Sequence, residues 1–215
     1  KNRIALEFQN VAMQLDNIRT QIASETDPAK KKQAEDRVKA QDTYVEQLKE
    51  VVPTPPNLTF DDHLTIFRGD REIRLLYLGR GHSDTDIMVY LPKEKVIATG
   101  DFFEGPATGA LAFGFHDEWA NDLEKLKAID FDTVVPGHGE PFKGKEQIGF
   151  FQVFLRDLWN QTKALHDQKV PVADAAKRVD LTAHMAHYRN INGPGFQEAT
   201  IARIYQVLDQ RGGSN

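Results

Sequence analysis

Apolar positions at Ile4, Phe8, Val11, Leu15, Ile18 and Ile22 recur at alternating intervals of four and three, which on a helix aligns them in one seam. Asp27 and Pro28 suit the N-cap and first position of a second helix, where Ala34, Val38, Val45, Leu48 and Val52 repeat similar intervals. Two seams and a short joint predict an antiparallel helical hairpin over residues 1–52. Gln41 falls in the second seam, so packing there is expected to be imperfect or wet. The stretch VPTPPNLT, Val52 to Thr59, ends the helix. Its three prolines remove amide donors and push the residues before them out of the helical region. A domain boundary is expected here.

Beyond it come short apolar runs separated by turns. HLTIF and EIRLLYL flank RGDR, which predicts a strand, a tight turn and a strand. The triplet Arg68-Gly69-Asp70 also has the form of an adhesion motif, but a Gly-Asp turn accounts for it fully. DIMVYLP and KVIATG predict another pair across the KEK turn. A Gly-rich and aromatic loop, Phe102 to Phe115, leads to a helix beginning near Asp117 with Trp119, Leu123, Leu126 and Ile129 on its buried face. A short strand lies in DTVVPGHG. A long helix follows from about Lys145 to Gln168, with Ile148, Phe151, Phe154, Leu155 and Leu158 facing the sheet. GPG at Gly193 to Gly195 breaks the tail before a last helix in FQEATIARIYQVLDQ. The fold class is therefore α/β, with the hairpin at 1–52, an α/β body at 58–170 and a helical extension at 171–215.

Charge and composition narrow the functions this fold can carry. The 215 residues hold 27 Lys and Arg against 32 Asp and Glu. Neither sign gathers into a stripe, so a nucleic-acid partner is not expected. No apolar run approaches the ~20 residues of a membrane span. Cysteine is absent, which excludes disulfides and thiol nucleophiles, so any metal must be held by His and carboxylates. The chain opens KNRIALEFQN, with neither an initiator Met nor a signal-peptide pattern, and reads as a processed or trimmed product.

Three such side chains stand in equivalent places. His82 follows LLYLG, Asp101 ends VIATG and His138 follows TVVP, each just beyond a strand. If the strands adjoin, the three converge at one rim, with glycines at 81, 100, 137 and 139 allowing sharp turns beside them. Two imidazoles and a carboxylate suit zinc, and equally iron or manganese. Taken singly, each also has a structural role open to it, as a hydrogen-bonded loop residue or turn cap. Asp84 and Asp86 are candidates for hydrogen bonding to ligand imidazoles, or for capping the turn. The 102–115 loop, with Phe103 and with His116 at its far side, is expected either to lie over an apolar substrate or to pack into the core. For His116 a helix-capping role is the alternative. His184 and His187 in HMAH read as a surface pair, and His63 as the entry to a strand.

GRGHSDTD, VIATGDFF and FDTVVPGHGEP, in this order and spacing, resemble the last three metal-binding motifs of the metallo-β-lactamase-fold hydrolase superfamily. The likeness covers residues 64 to 142 and includes the helix EWANDLEKLKAI. It implies that His82 ligates a first metal, Asp101 bridges two and is the central catalytic group, and His138 ligates the second. It also implies a four-layer αββα sandwich with the metals at one edge. The superfamily signature H-x-H-x-D-H is absent, so the chain resembles the C-terminal half of such a fold, with the hairpin as an insertion serving as lid, spacer or dimerisation arm. The implied function is a zinc hydrolase, with one or two ions, acting on ester, lactone, thioester or lactam-type bonds. This chain, lacking half of the ligands, is expected to be inactive alone. Its expected partners are a small-molecule substrate, the missing N-terminal half, and a second copy through the hairpin. An iron-dependent oxidoreductase on the same fold and a non-catalytic helical-hairpin interaction protein are the alternatives. A periplasmic or secreted location is favoured over a cytoplasmic one.

Overall fold

The computed structural model describes residues 11, 15, 18–20, 22–52, 54–105 and 111–212. They fall into two units, 1–59 and 60–215. In the first, helix α1 spans Pro28–Leu48, and the Asp27 carboxylate accepts from the Ala29 amide at 2.8 Å and the Lys30 amide at 3.4 Å. Ala34, Val38, Gln41, Val45 and Leu48 are its half-buried residues and every other position of α1 is exposed. The seam is therefore the predicted one, Gln41 included. Val52 is not part of it, because α1 ends at Leu48 and Val52 is 79% exposed beyond the end. Of the first predicted helix, residues 11, 15, 18–20 and 22–24 are helical; Ile4 and Phe8 lie outside the described residues. Arg19 donates to Asp42 at 3.2 Å.

The second unit is built on one six-stranded sheet: β1 (His63–Arg68), β2 (Arg71–Leu76), β3 (Met88–Leu91), β4 (Val96–Gly100), β5 (Thr133–Pro136) and β6 (Phe142–Lys143), paired in sequence order. The β1–β2 connection is the tight turn predicted for RGDR, with Gly69 at φ +63° and Asp70 accepting from Lys93 at 2.9 Å. All neighbours are antiparallel except β4 and β5, which are parallel. Two consecutive reversals make β2 point the same way as β4, and β5 follows β4. The C-terminal ends of β2, β4 and β5 thus share one rim.

A parallel pair needs a crossover. Here it contains α2 (His116–Ala128), whose Trp119, Leu123 and Leu126 have no exposed surface. They pack with α3 (Glu146–Asp167) and the sheet residues Met88, Ile97 and Val134. Trp119 meets Phe151 edge to face at 5.1 Å, and Phe151 stacks with Phe154 at 6.1 Å. The tail from residue 171 belongs to this same unit: α4 (Val172–Arg178) and α5 (Glu198–Gly212) add Ala175, Ile201 and Ile204 to the core. The expectation for His184 is corrected. It is only 8% exposed, its Nε2 lies 2.9 Å from Asp157, and its ring meets Phe154 edge to face. A short 3-10 turn over Thr182–His184 turns it inward, whereas His187 is exposed and stacks on Phe150 at 3.7 Å. Among the described residues no helix is long and apolar enough to cross a membrane.

Candidate metal centre

The shared rim carries three loops, each beginning where a strand ends. After β2, the Gly81 amide donates to the Ser83 carbonyl at 2.9 Å, and the Gly81 carbonyl accepts from Phe115 at 2.9 Å. Asp86 closes this loop by accepting from the Ser83 amide at 3.0 Å and the Ser83 hydroxyl at 2.6 Å. Asp86 therefore orders the backbone beside His82 and does not hydrogen-bond its ring; Asp84 is exposed. The His82 ring lies edge-on to Trp119 at 6.0 Å.

After β4, Asp101 opens a single 3-10 turn, Asp101–Phe103. After β5, residues 136–139 are stitched to that turn: the Gly137 amide donates to the Phe103 carbonyl and the His138 amide to the Glu104 carbonyl, both at 3.1 Å. The two loops approach so closely that a Cβ on Gly137 would stand 2.2 Å from Asp101 Oδ1, and one on Gly105 2.3 Å from the His138 carbonyl oxygen.

These loops bring four side chains together. His82 Nε2 lies 3.3 Å from Glu104 Oε1, and His138 Nε2 lies 3.4 Å from Asp101 Oδ1. His82, Asp101 and Glu104 each place one donor atom within 4.8 Å of the others. The His–carboxylate separations exceed those of good N–H···O hydrogen bonds. They match the edge of a coordination tetrahedron, roughly 3.3–3.4 Å for bonds of about 2.0–2.1 Å. Two carboxylates this close repel one another, and Glu104 is only 3% exposed, so the arrangement calls for positive charge. Imidazole nitrogen and carboxylate oxygen at such spacing fit a divalent cation of the zinc, iron or manganese kind. His138 stands at the outer side, with 69% of its side chain exposed, against 18% for His82.

Glu104 was not singled out in the sequence, yet a signal exists. In a 3-10 turn residues i and i+3 eclipse, so DFFE places Asp101 and Glu104 on one side. The residues assigned to the substrate loop fare differently. His116 has no exposed surface and opens α2 from inside the core, 6.5 Å from Trp119, so no substrate reaches it; nor does its side chain cap the helix, whose N-cap is Phe115. Phe103 is 1% exposed and packs on Phe142 and Phe151 at 5.6 and 5.7 Å. With Gly105 it also lines a cavity of about 270 Å³ shared with Gln147, Phe150, His187 and Tyr188. Residues 106–110 of the predicted loop lie outside the described residues.

The family model of the metallo-beta-lactamase superfamily matches residues 17–138. This chain belongs to the metallo-beta-lactamase superfamily. Within the superfamily it is 27% identical over 146 residues to a linear primary-alkylsulfatase of Pseudomonas sp. (strain ATCC 19151), covering 62% of this chain and 27% of that enzyme. It is 30% identical over 77 residues to a metallo-beta-lactamase type 2 of Bacillus cereus, covering 34% of this chain and 30% of that one. The chain therefore spans less than a third of either relative. The solved sec-alkyl sulfatase PisA1, as a double mutant, superposes with a TM-score of 0.58 at 18% identity, covering 72% of this chain and 27% of that one. That likeness concerns the fold, and it agrees with the mixed sheet and flanking helices seen here.

Proposed function

We propose that residues 60–215 carry the metal-binding edge of a metal-dependent hydrolase whose substrate joins an ester-type bond to an apolar group. The observation that carries this reading is the approach of His82, Asp101 and His138 at the common rim of β2, β4 and β5. Zinc is the first choice for this donor set, with manganese and iron(II) compatible. When bound, such a cation supplies Lewis-acid polarisation of the scissile bond and a water acidic enough to ionise near neutrality. The chain's own residues do the holding. Asp101 is within reach of both imidazoles. Trp119 backs the His82 ring and keeps water from its inner side, and the stitched loops fix His138 against Asp101.

For the substrate, the alkylsulfatase relative favours a sulfate or carboxylate ester of an apolar alcohol over a lactam, since it aligns with 62% of this chain against 34% for the lactamase. The aromatic cavity beside Gly105 would receive the apolar part. The H-x-H-x-D-H donors are not among these residues. Turnover is therefore proposed for a longer protein that carries them, with the 215 residues alone binding metal without hydrolysis.

The test compares the zinc-loaded longer protein with the chain alone on octyl sulfate, 4-nitrophenyl octanoate and a β-lactam. The longer protein is expected to release product from at least one ester, to lose that activity on Asp101→Asn, and to outpace the chain alone. A zinc-loaded longer protein that leaves both esters intact would overturn the reading.

A further inference from the structure

The three motifs that carry the family likeness supply His82, Asp101 and His138 as donors. The buried carboxylate of Glu104 stands outside that set. Its place is nevertheless fixed from two sides. The 3-10 turn that begins at Asp101 sets it three residues on, and its own carbonyl accepts the His138 amide at 3.1 Å. The turn directs the carboxylate toward His82, with Oε1 3.3 Å from His82 Nε2 at 3% exposure. A charged group so enclosed must be compensated. Glu104 Oε1 and His82 Nε2 stand too far apart for a strong hydrogen bond and at the separation expected of two donors to one ion.

We propose that Glu104 is a metal ligand, and that His82, Glu104 and Asp101 form an inner cation site distinct from the exposed outer position between Asp101 and His138. The inner site joins one nitrogen to two carboxylate oxygens and lies behind Trp119 and Phe102; the outer has a single imidazole open to solvent. The inner site is accordingly filled first, and its two negative charges retain a divalent cation that one imidazole and one carboxylate would lose. This proposal rests on the metal-centre reading above but assigns a ligand that reading does not require.

Cobalt(II) titration of the chain tests it, with quenching of Trp119 fluorescence as the readout because His82 lies 6.0 Å from that ring. A Trp159→Phe background leaves Trp119 as the sole tryptophan, since the sequence has two. Glu104→Gln keeps the size and removes the charge, and Glu104→Asp keeps the charge and shortens the reach. Each is expected to weaken the first binding phase at least tenfold, while Glu140→Gln, which neutralises an exposed carboxylate two residues past His138, stays within twofold of the parent. Circular dichroism identifies whichever Glu104 variant is folded, and that one is decisive. If it binds like the parent while His82→Ala and Asp101→Asn lose the phase, Glu104 is not a ligand and the metal centre stands. If the parent itself shows neither quenching nor bound cobalt, the metal-centre reading fails and this proposal with it.

Discussion

His116 shows what a polar residue costs when the fold encloses it. Neither ring nitrogen has a hydrogen-bond partner of ordinary geometry. Burial first, and then the charge of Arg203, push its pKa from the usual 6.5 down to about 3, with only the Leu111 backbone opposing. The folded ring therefore stays neutral while the unfolded chain takes up a proton below pH 6.5, so stability is lost as pH falls from about 6.5 toward 3. The slope is at most about 1.4 kcal/mol per pH unit for one proton, which gives on the order of 2–3 kcal/mol between pH 6.5 and 4.5. Urea unfolding at pH 7.5 and 4.5 measures this. His116→Leu is expected to lose about 2–3 kcal/mol less than the parent between those pH values. An equal loss in both proteins would show that His116 does not titrate with folding.

The loops at the rim act as a pair, and their junction depends on the absence of side chains. Besides its 2.2 Å approach to Asp101 Oδ1, a Cβ at 137 would stand 2.7 Å from the Gly100 carbonyl carbon, with no flexible tip to yield. Gly137→Ala is expected to push the Asp101 carboxylate from its place and to lower zinc retained after dialysis at least tenfold, as read by elemental analysis. Retention equal to the parent would mean that the seam between the loops does not set the donor geometry. The strands and long helices that hold these loops were legible in the sequence because each is long enough to show a period: FQVFLRDL declares a helix and HLTIFRGDREIRLL a hairpin. The two residues of β6 and the seven of α4 are too short to do so. His82, Asp101 and His138 were visible as strand-end residues flanked by glycine. Glu104 was not, because its relation to Asp101 appears only once the 3-10 turn is known. His184 and His116 were misjudged for one reason, that burial in short turns and at helix starts leaves no periodic trace.

In the molecule as a whole, strand direction is what converts dispersed residues into a centre. His82 and His138 are 56 positions apart in the chain, yet two antiparallel steps and one parallel step put the ends of β2, β4 and β5 on one edge. The α2 crossover fills the space behind that edge with Trp119 and Phe102, so His82 and Glu104 are shielded and His138 is left toward solvent. Helices α4 and α5 complete the same core from the tail. The most direct measurement is anomalous scattering at the zinc absorption edge from crystals of the zinc-loaded protein. A peak about 2 Å from His82 Nε2 and from a carboxylate oxygen of Asp101 is expected. Zinc bound elsewhere on the surface, with these donors bare at saturating metal, would contradict the arrangement described here.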